Sequence, residues 1–464
     1  MFRSSPRSSL LHRSVCAVLV GYCAAAQGSG FALLEQSGSG LGTAFAGTGV
    51  TADDPSTIFF NPAGLIEVDG MQAAFVPSGV LIGSEFRNAN SRAALGQPLG
   101  NNGGDAGGWN FIPAAYASAK LNDRMAVGIG INAPFGLELT YGDGWIGRFQ
   151  TLKSDIRTIN VNPTFAYRIN DAISIGVGVN YQTIQAELTN AVNYSAVVAQ
   201  GLQQLVLAGQ LDPANVPALL AANAGLEGHA RVRGDDQAWG YNIGVMIDVT
   251  PTTRVGLSYR SKIDYRIEGS ARFTPPTVTN PTGAAIVAQA AAGQLASGPA
   301  YVDLELPDVT ILSLSQKIGT NFELLADVGY TGWSSVENVS VVRAGSDPVA
   351  VIREGWEDAW RVALGGIYTL SPTLKLRAGI AYDESAVPDS ARTPRLPDVA
   401  RRWLAVGLNW QQSDMFSVDV GYAHLFSSDA PLNQDAGNEN LSGFVGGHQE
   451  SGIDIVSAQV TVRF

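Results

Sequence analysis

The sequence predicts an all-β chain, a transmembrane antiparallel β-barrel of about 14 strands. Three observations lead there. From about residue 70 to the last residue, apolar side chains alternate with small or polar ones. The apolar face repeatedly ends in Tyr or Trp, as a membrane-interface girdle does. Short turns and long loops take turns along the chain, the pattern of the two rims of an outer-membrane barrel.

The 464 residues are 45% hydrophobic and only 15% charged, which suits either two or three soluble domains or one large barrel. The 53 glycines follow no Gly-X-Y period, so a collagen is excluded. Residues 1–28 read as a secretory signal. Arg3, Arg7 and Arg13 make a basic start, Val15 to Ala26 an apolar core, and Ala24, Ala26 and Gly28 small residues for cleavage. That core falls short of the ~20 residues a membrane-spanning helix needs. Both cysteines, Cys16 and Cys23, lie inside it, so the mature chain has neither a disulfide framework nor thiolate chemistry. Losing three arginines takes the net charge from −12 to −15, which argues against nucleic acid as a partner.

The strand signal is clearest in Ile173-Ser-Ile-Gly-Val-Gly-Val-Asn-Tyr181, Val255-Gly-Leu-Ser-Tyr259, Leu404-Ala-Val-Gly-Leu-Asn-Trp410 and Phe416-Ser-Val-Asp-Val-Gly-Tyr422. Leu374-Lys-Leu-Arg-Ala-Gly-Ile-Ala-Tyr382 follows the same rule. A soluble β-sandwich also alternates. Here the non-apolar positions are mostly small rather than long and charged, as on a face looking into a lumen that holds something. The aromatic ends Tyr181, Tyr259, Tyr382, Trp410 and Tyr422 point the same way. The segments fall near 71–86, 110–121, 124–135, 155–168, 172–187, 230–248 and 253–272. They continue near 300–317, 321–345, 349–370, 374–386, 399–411, 415–426 and 450–464. Their even number returns the last strand beside the first. The last strand carries Val456, Ala458, Val460, Val462 and Phe464 on one face and stops on the aromatic, an end suited to recognition by the outer-membrane barrel assembly machinery.

Two long loops have helical periodicity. Val197–Leu207 places Val198, Leu202, Leu205 and Val206 on one face; further helical pieces fall at Val216–Leu226 and Ala284–Leu295. Such loops either form a groove that gathers hydrophobic molecules or pack on each other as a lid.

Residues 29–65 precede the first strand and are too Gly-rich to form a domain alone. They contain Gly30-Phe31, Ser39-Gly-Leu-Gly42, Ala52-Asp-Asp54 and Asn61-Pro62-Ala63. With these runs the chain resembles the FadL family of long-chain fatty acid and aromatic-hydrocarbon transporters. Further matches are Leu306-Pro-Asp308, Glu354-Gly-Trp356, Asp358-Ala-Trp-Arg361, Ala363-Leu-Gly365, Val387-Pro388, Arg392, Pro397-Asp398, Arg401 and Trp403. The resemblance covers essentially the whole mature chain. It implies a signal over 1–28, an N-terminal hatch over 29–69 plugging the lumen, and a barrel over 70–464. It also implies ligand capture in a loop groove, an internal pocket, and a lateral exit through a kinked strand. Pro134 and Gly136 are the candidates for that kink, because proline removes a ladder donor; alternatively the strand simply ends there. Phe31 falls at the family's hatch aromatic in the pocket, and Asn61, Pro62 and Ala63 at its hatch tripeptide. Of two basic pocket residues, one falls near Gln182–Glu187, which holds no Lys or Arg, and the other at Ile352, beside Arg353. One residue of offset turns a strand side chain to the opposite face. Either local geometry brings Arg353 to the pocket, or the pocket lacks that cation and favours an uncharged ligand.

Enzymatic chemistry finds little support. The mature histidines are His229, His424 and His448, with no Gly-x-Ser-x-Gly elbow beside them and no metal-ligand spacing. An outer-membrane lipid hydrolase is the enzymatic alternative, and a polar porin the passive one. The reading that results is a monomeric, cofactor-free barrel among outer-membrane lipid and lipopolysaccharide in a Gram-negative bacterium. It moves long-chain fatty acids or other hydrophobic ligands by diffusion, or aromatic hydrocarbons by the same route.

Overall fold

The structure, a computed structural model, describes residues 30–336, 338–343, 348–353 and 355–464, with backbone alone at 338, 339 and 348–353. The signal expected over 1–28 lies outside the described residues.

Fourteen antiparallel staves form the wall. They are β1 (Met71–Asn88), β2 (Gly108–Asn122), β3 (Met125–Asn132, resuming at Gly136–Thr140), β4 (Lys153–Asn170), β5 (Ile173–Asn193), β6 (Glu227–Thr250) and β7 (Thr253–Arg260 and Ile263–Thr274). The ring continues with β8 (Gly298–Leu306 and Val309–Ile318), β9 (Phe322–Thr331 and Asn338–Arg343) and β10 (Pro348–Arg353 and Ala359–Ser371). It ends with β11 (Leu374–Asp383), β12 (Arg401–Gln411), β13 (Phe416–Ser427 and Ala430–Gln434) and β14 (Val445–Arg463). Strand β14 pairs with β13 on one side and β1 on the other, so the sheet closes and leaves no outer edge.

Alternation does what the sequence predicts. On β12, Leu404 and Val406 are each 52% exposed, while Trp403 and Ala405, which alternate with them, are buried. In lipid this puts the apolar face outward and the small or polar face in the lumen. Tyr382, Trp410 and Tyr422 stand on the outer face, with Trp239 and Trp360 extending the aromatic set. His424 shares that face, its Nδ1 2.8 Å from Asp454 Oδ1.

Several strands outrun their predicted ends. Strands β5 and β6 pair from Ile173↔Ile247 to Asn193↔Glu227, about two turns of the pleat beyond the apolar stretch. Hydrogen bonds between neighbours carry the ladder past the point where periodicity fades. Above the long-loop rim lie three helices, α1 (Tyr194–Leu207), α2 (Val216–Ala222) and α3 (Pro281–Ala292). Asn193 and Asn280 cap α1 and α3, accepting from Ala196 N and Gly283 N. Val198 and Leu202 of α1 bury against Ile286 and Val287 of α3, so these helices pack on one another.

Candidate functional site

The N-terminal segment, residues 30–69, lies inside this wall. Its backbone reaches every quarter of the ring. Ser78 of β1 donates to Glu35 O, Ser174 of β5 to Ala63 O, and Arg361 of β10 to Ala44 O. Gly47 N donates to Asp327 of β9 and Gly38 N to Gln459 of β14. A segment bonded to opposite sides of a closed wall is within it.

Close approach explains the small inward residues. A methyl group added at Gly176 would meet Pro62, at Gly244 Asn61, at Gly256 Gly49, and at Gly379 Thr43, mostly at backbone atoms that cannot swing aside. Beside Gly379 on the wall, Gly407 and Gly421 meet Gly42 and Leu41. This glycine collar lets the backbone of residues 38–66 approach the wall closely. Asn61 fixes the collar contact. Its Nδ2 donates to Gly49 O and Val245 O, while its Oδ1 caps Ala63 N before the 3-10 turn Pro62–Glu67. Glu67 then ties the segment to the short-turn rim through Arg168 at 2.5 Å and Arg254 at 3.2 Å.

Residues 30–34 behave differently. Gly30 adopts φ +63°, and any side chain there would run into the Trp333 indole. Its N–H donates to the buried Asp398, which also holds Ser385 Oγ, Ala386 N and the Arg401 guanidinium. Burial raises the Asp398 carboxyl above its ordinary range, and Arg401 pulls it back. Phe31 then enters an aromatic cluster, with ring centroids 5.0 Å from Trp333 and 5.8 Å from both Phe135 and Trp356.

Phe135 belongs to the break in β3. Residues 133–135 leave the ladder, and Pro134 has no N–H to give. The segment repairs the break from within: Leu33 N donates to Pro134 O, Gly136 N to Phe31 O, and Gln36 Nε2 to Ala133 O. Thr158 Oγ1 of β4 meets both the N–H and the carbonyl of Phe135. On its other side the wall is not repaired. The β2–β3 ladder ends at Ala115↔Ile131, while β2 runs on to Gly108 paired with β1 alone. Pro113 sits in that unpartnered stretch opposite Pro77. Two prolines face each other only at a non-hydrogen-bonded pair, so the donor Pro113 lacks is one that would have pointed at the seam.

Phe31 and Ala32–Leu34 stand between two cavities. The upper, about 890 Å³, is lined by Phe31, Leu188, Val232, Leu304 and Trp356, with Arg233 and Arg395 among them. The lower, about 980 Å³, is bounded by Leu33, Phe59, Phe60, Phe135 and Ile311, and reaches Pro134 at the break. Its polar lining is Asn242, Ser258, Arg260, Arg361, Asp327 and Asp383. Apolar linings with a few convergent polar groups suit amphiphilic or hydrophobic ligands.

The structure thus brings Phe31, Pro134 and Gly136 together, and places Asn61, Pro62 and Ala63 on the collar. Arg353 closes the first part of β10 opposite Asn338, but its side chain lies outside what is described. Sequence reasoning missed Arg260 and Arg361. The signal was present: with Val255, Leu257 and Tyr259 outward, Arg260 falls on the inward face after Gly256 and Ser258.

Residues 19–464 match the family described as Outer membrane protein transport protein (OMPP1/FadL/TodX). The chain belongs to this family. The OMPP1/FadL/TodX relatives include Outer membrane protein P1 of Haemophilus influenzae, 31% identical over 86% of both chains. The Long-chain fatty acid transport protein of Escherichia coli K12 is 28% identical over 92% of this chain and 95% of its own. Among solved structures, a FadL homologue of Pseudomonas aeruginosa covers 94% of this chain and 100% of its own, at TM-score 0.82 and 23% identity. The toluene transporter TodX of P. putida covers 93% and 99% at TM-score 0.65 and 17% identity. As an OMPP1/FadL/TodX protein the chain is an outer-membrane transport channel for hydrophobic molecules in a Gram-negative bacterium, not an enzyme.

Proposed function

We propose that this chain carries long-chain fatty acids passively across the outer membrane. The ligand enters the upper cavity from the loop helices, passes Phe31 when residues 30–34 let go, and fills the lower cavity. It leaves sideways through the β2–β3 seam. Residues 29–69 act as the hatch, and direction comes from removal of ligand downstream. The supporting observation is the partition. Phe31 to Leu34 separate two apolar cavities, and the lower one ends at the strand break. Relatives named as long-chain fatty acid transport proteins, matching over 92% of this chain, favour fatty acid over aromatic hydrocarbon as cargo. Within this reading Arg353 is a further cation for the carboxylate. The chain works as a monomer among lipid and lipopolysaccharide, its Phe464 end serving barrel assembly.

Uptake of labelled oleate and of toluene by cells with and without the protein tests the proposal. Oleate uptake that depends on the protein, and falls with Arg353→Ala, is the expected result. Toluene uptake alone would make it a hydrocarbon channel, and uptake of neither would end the transport reading.

A further inference from the structure

The lower cavity holds a cation whose direct contacts are all to neutral groups. Arg260 ends the first part of β7 and faces the lumen, 8% exposed. Its Nη1 donates to Asn180 Oδ1 at 2.7 Å, its Nη2 to Phe59 O at 2.8 Å, and its plane lies 4.5 Å from the Phe59 ring centre. All of these acceptors are neutral.

Several other inward guanidiniums differ. Arg377 meets Asp419 and Asp53, Arg401 meets Asp398, and Arg168 and Arg254 share Glu67. Arg361, in the same cavity, lies in the field of Asp327, Asp383 and Glu35. A buried charge held by neutral groups alone is costly, and its cost falls when an anion arrives. The site is also built. Asn180 donates to Asn242, and Asn160 donates to both Asn180 and Asn132, the residue before the strand break. A polar track therefore runs from Arg260 to the exit beneath an apolar roof of Phe59, Phe135 and Ile311.

We propose that Arg260 is a second head-group station. Its guanidinium takes the carboxylate of an acyl-chain ligand in the lower cavity, with the chain against Phe59, Phe135 and Ile311, one step before the seam. Arg260 then selects carboxylate-bearing amphiphiles over neutral ones at the exit. The assignment rests on the transport reading above.

The test uses the purified full-length chain in detergent micelles and two photoreactive probes, a palmitate analogue with a mid-chain diazirine and the corresponding alcohol. With the native chain, the acid probe should form adducts at Phe59, Phe135 or Ile311 roughly tenfold more readily than the alcohol, the scale of one charge-assisted contact. Arg260→Gln should bring the acid probe down to the alcohol's level and leave the alcohol adducts unchanged. Arg260→Lys should keep part of the preference. A parallel loss of both probes in Arg260→Gln would make Arg260 only an anchor for Phe59. A preserved acid preference, or native adducts confined to the upper cavity, would place the head group elsewhere and overturn the assignment while sparing transport. No saturable adducts with either probe would overturn the transport reading itself.

Discussion

The two halves of the N-terminal segment are built on opposite principles. Residues 38–66 rest backbone to backbone on a collar of glycines, with their polar groups answered by Asp327, Ser313 and Gln459. Residues 30–34 are instead held by one buried carboxylate, a few bonds to a broken strand, and aromatic rings bordering empty space. Backbone contact with the wall makes the first half hard to move even where it borders the lower cavity, whereas cavities on both sides give the second somewhere to go. One segment can thus join a firmly seated stretch to a loosely held one, the division of labour that the proposed hatch requires.

The comparison breaks most severely at the collar. In Gly379→Val the new side chain collides with the Thr43 carbonyl, and replacing Gly176 by Leu as well does the same at Pro62. Overpacking costs about 1–3 kcal/mol per site. The double variant should show large, steady currents in planar bilayers where the native chain is quiet. A quiet double variant would mean the collar does not seat the seal. Phe31→Ala removes three ring contacts and joins the two cavities, at about 3–5 kcal/mol of packing. Its heat-modifiable band should convert at a lower temperature while bilayer currents stay low. If currents rise as well, the halves are not separable.

Glu35 sharpens the distinction through pH. Burial raises its carboxyl from the ordinary 4.5 to about 7, against the pull of Arg361 and Arg401. An acid with a raised value favours the docked state most below 4.5, and that advantage is lost as pH rises through about 7. The full span is on the order of 3 kcal/mol. Protection of amides 30–36, corrected for intrinsic exchange, should therefore fall between about pH 4.5 and 7, that of residues 44–60 should not follow, and Glu35→Gln should flatten the profile. Thr48→Val makes the smallest cut. It loses the 3.1 Å bond to Asp327 for about 1 kcal/mol and should lower thermal stability slightly without opening the pore.

Much of this was legible in the sequence because β-structure writes a period of two. That period placed the staves, the outward aromatics and the inward glycines, and small inward residues already implied an occupied lumen. The loop helices were equally plain, their apolar faces meeting in the α1–α3 contact. The anchoring of residues 30–34 was harder to read. Gly30 meets Asp398 across 368 residues, and no local pattern announces such a pair. Arg260 was missed because alternation was followed only as far as its last apolar residue, Tyr259, one position short of the charge. The Pro134 break could be a strand end or a kink from sequence alone. What separates them is the resumed pairing Gly136↔Arg157 on β4.

The unzipped seam between β2 and β3 bears on the cost of delivery. A porin-like path would release an acyl chain into water, at ~0.8 kcal/mol for every methylene wetted. For a chain of about sixteen methylenes that toll is on the order of 13 kcal/mol, roughly nine powers of ten in the partition between cavity and water. On the proposed lateral route a side door at Pro113 and Pro134 would open onto hydrocarbon, and the cargo would pass from one oily phase to another without crossing that barrier. The same door sets a size rule. Branched or bulky hydrophobes that fit the cavities should stall at a slit no wider than one missing ladder, which makes the wall itself a sieve.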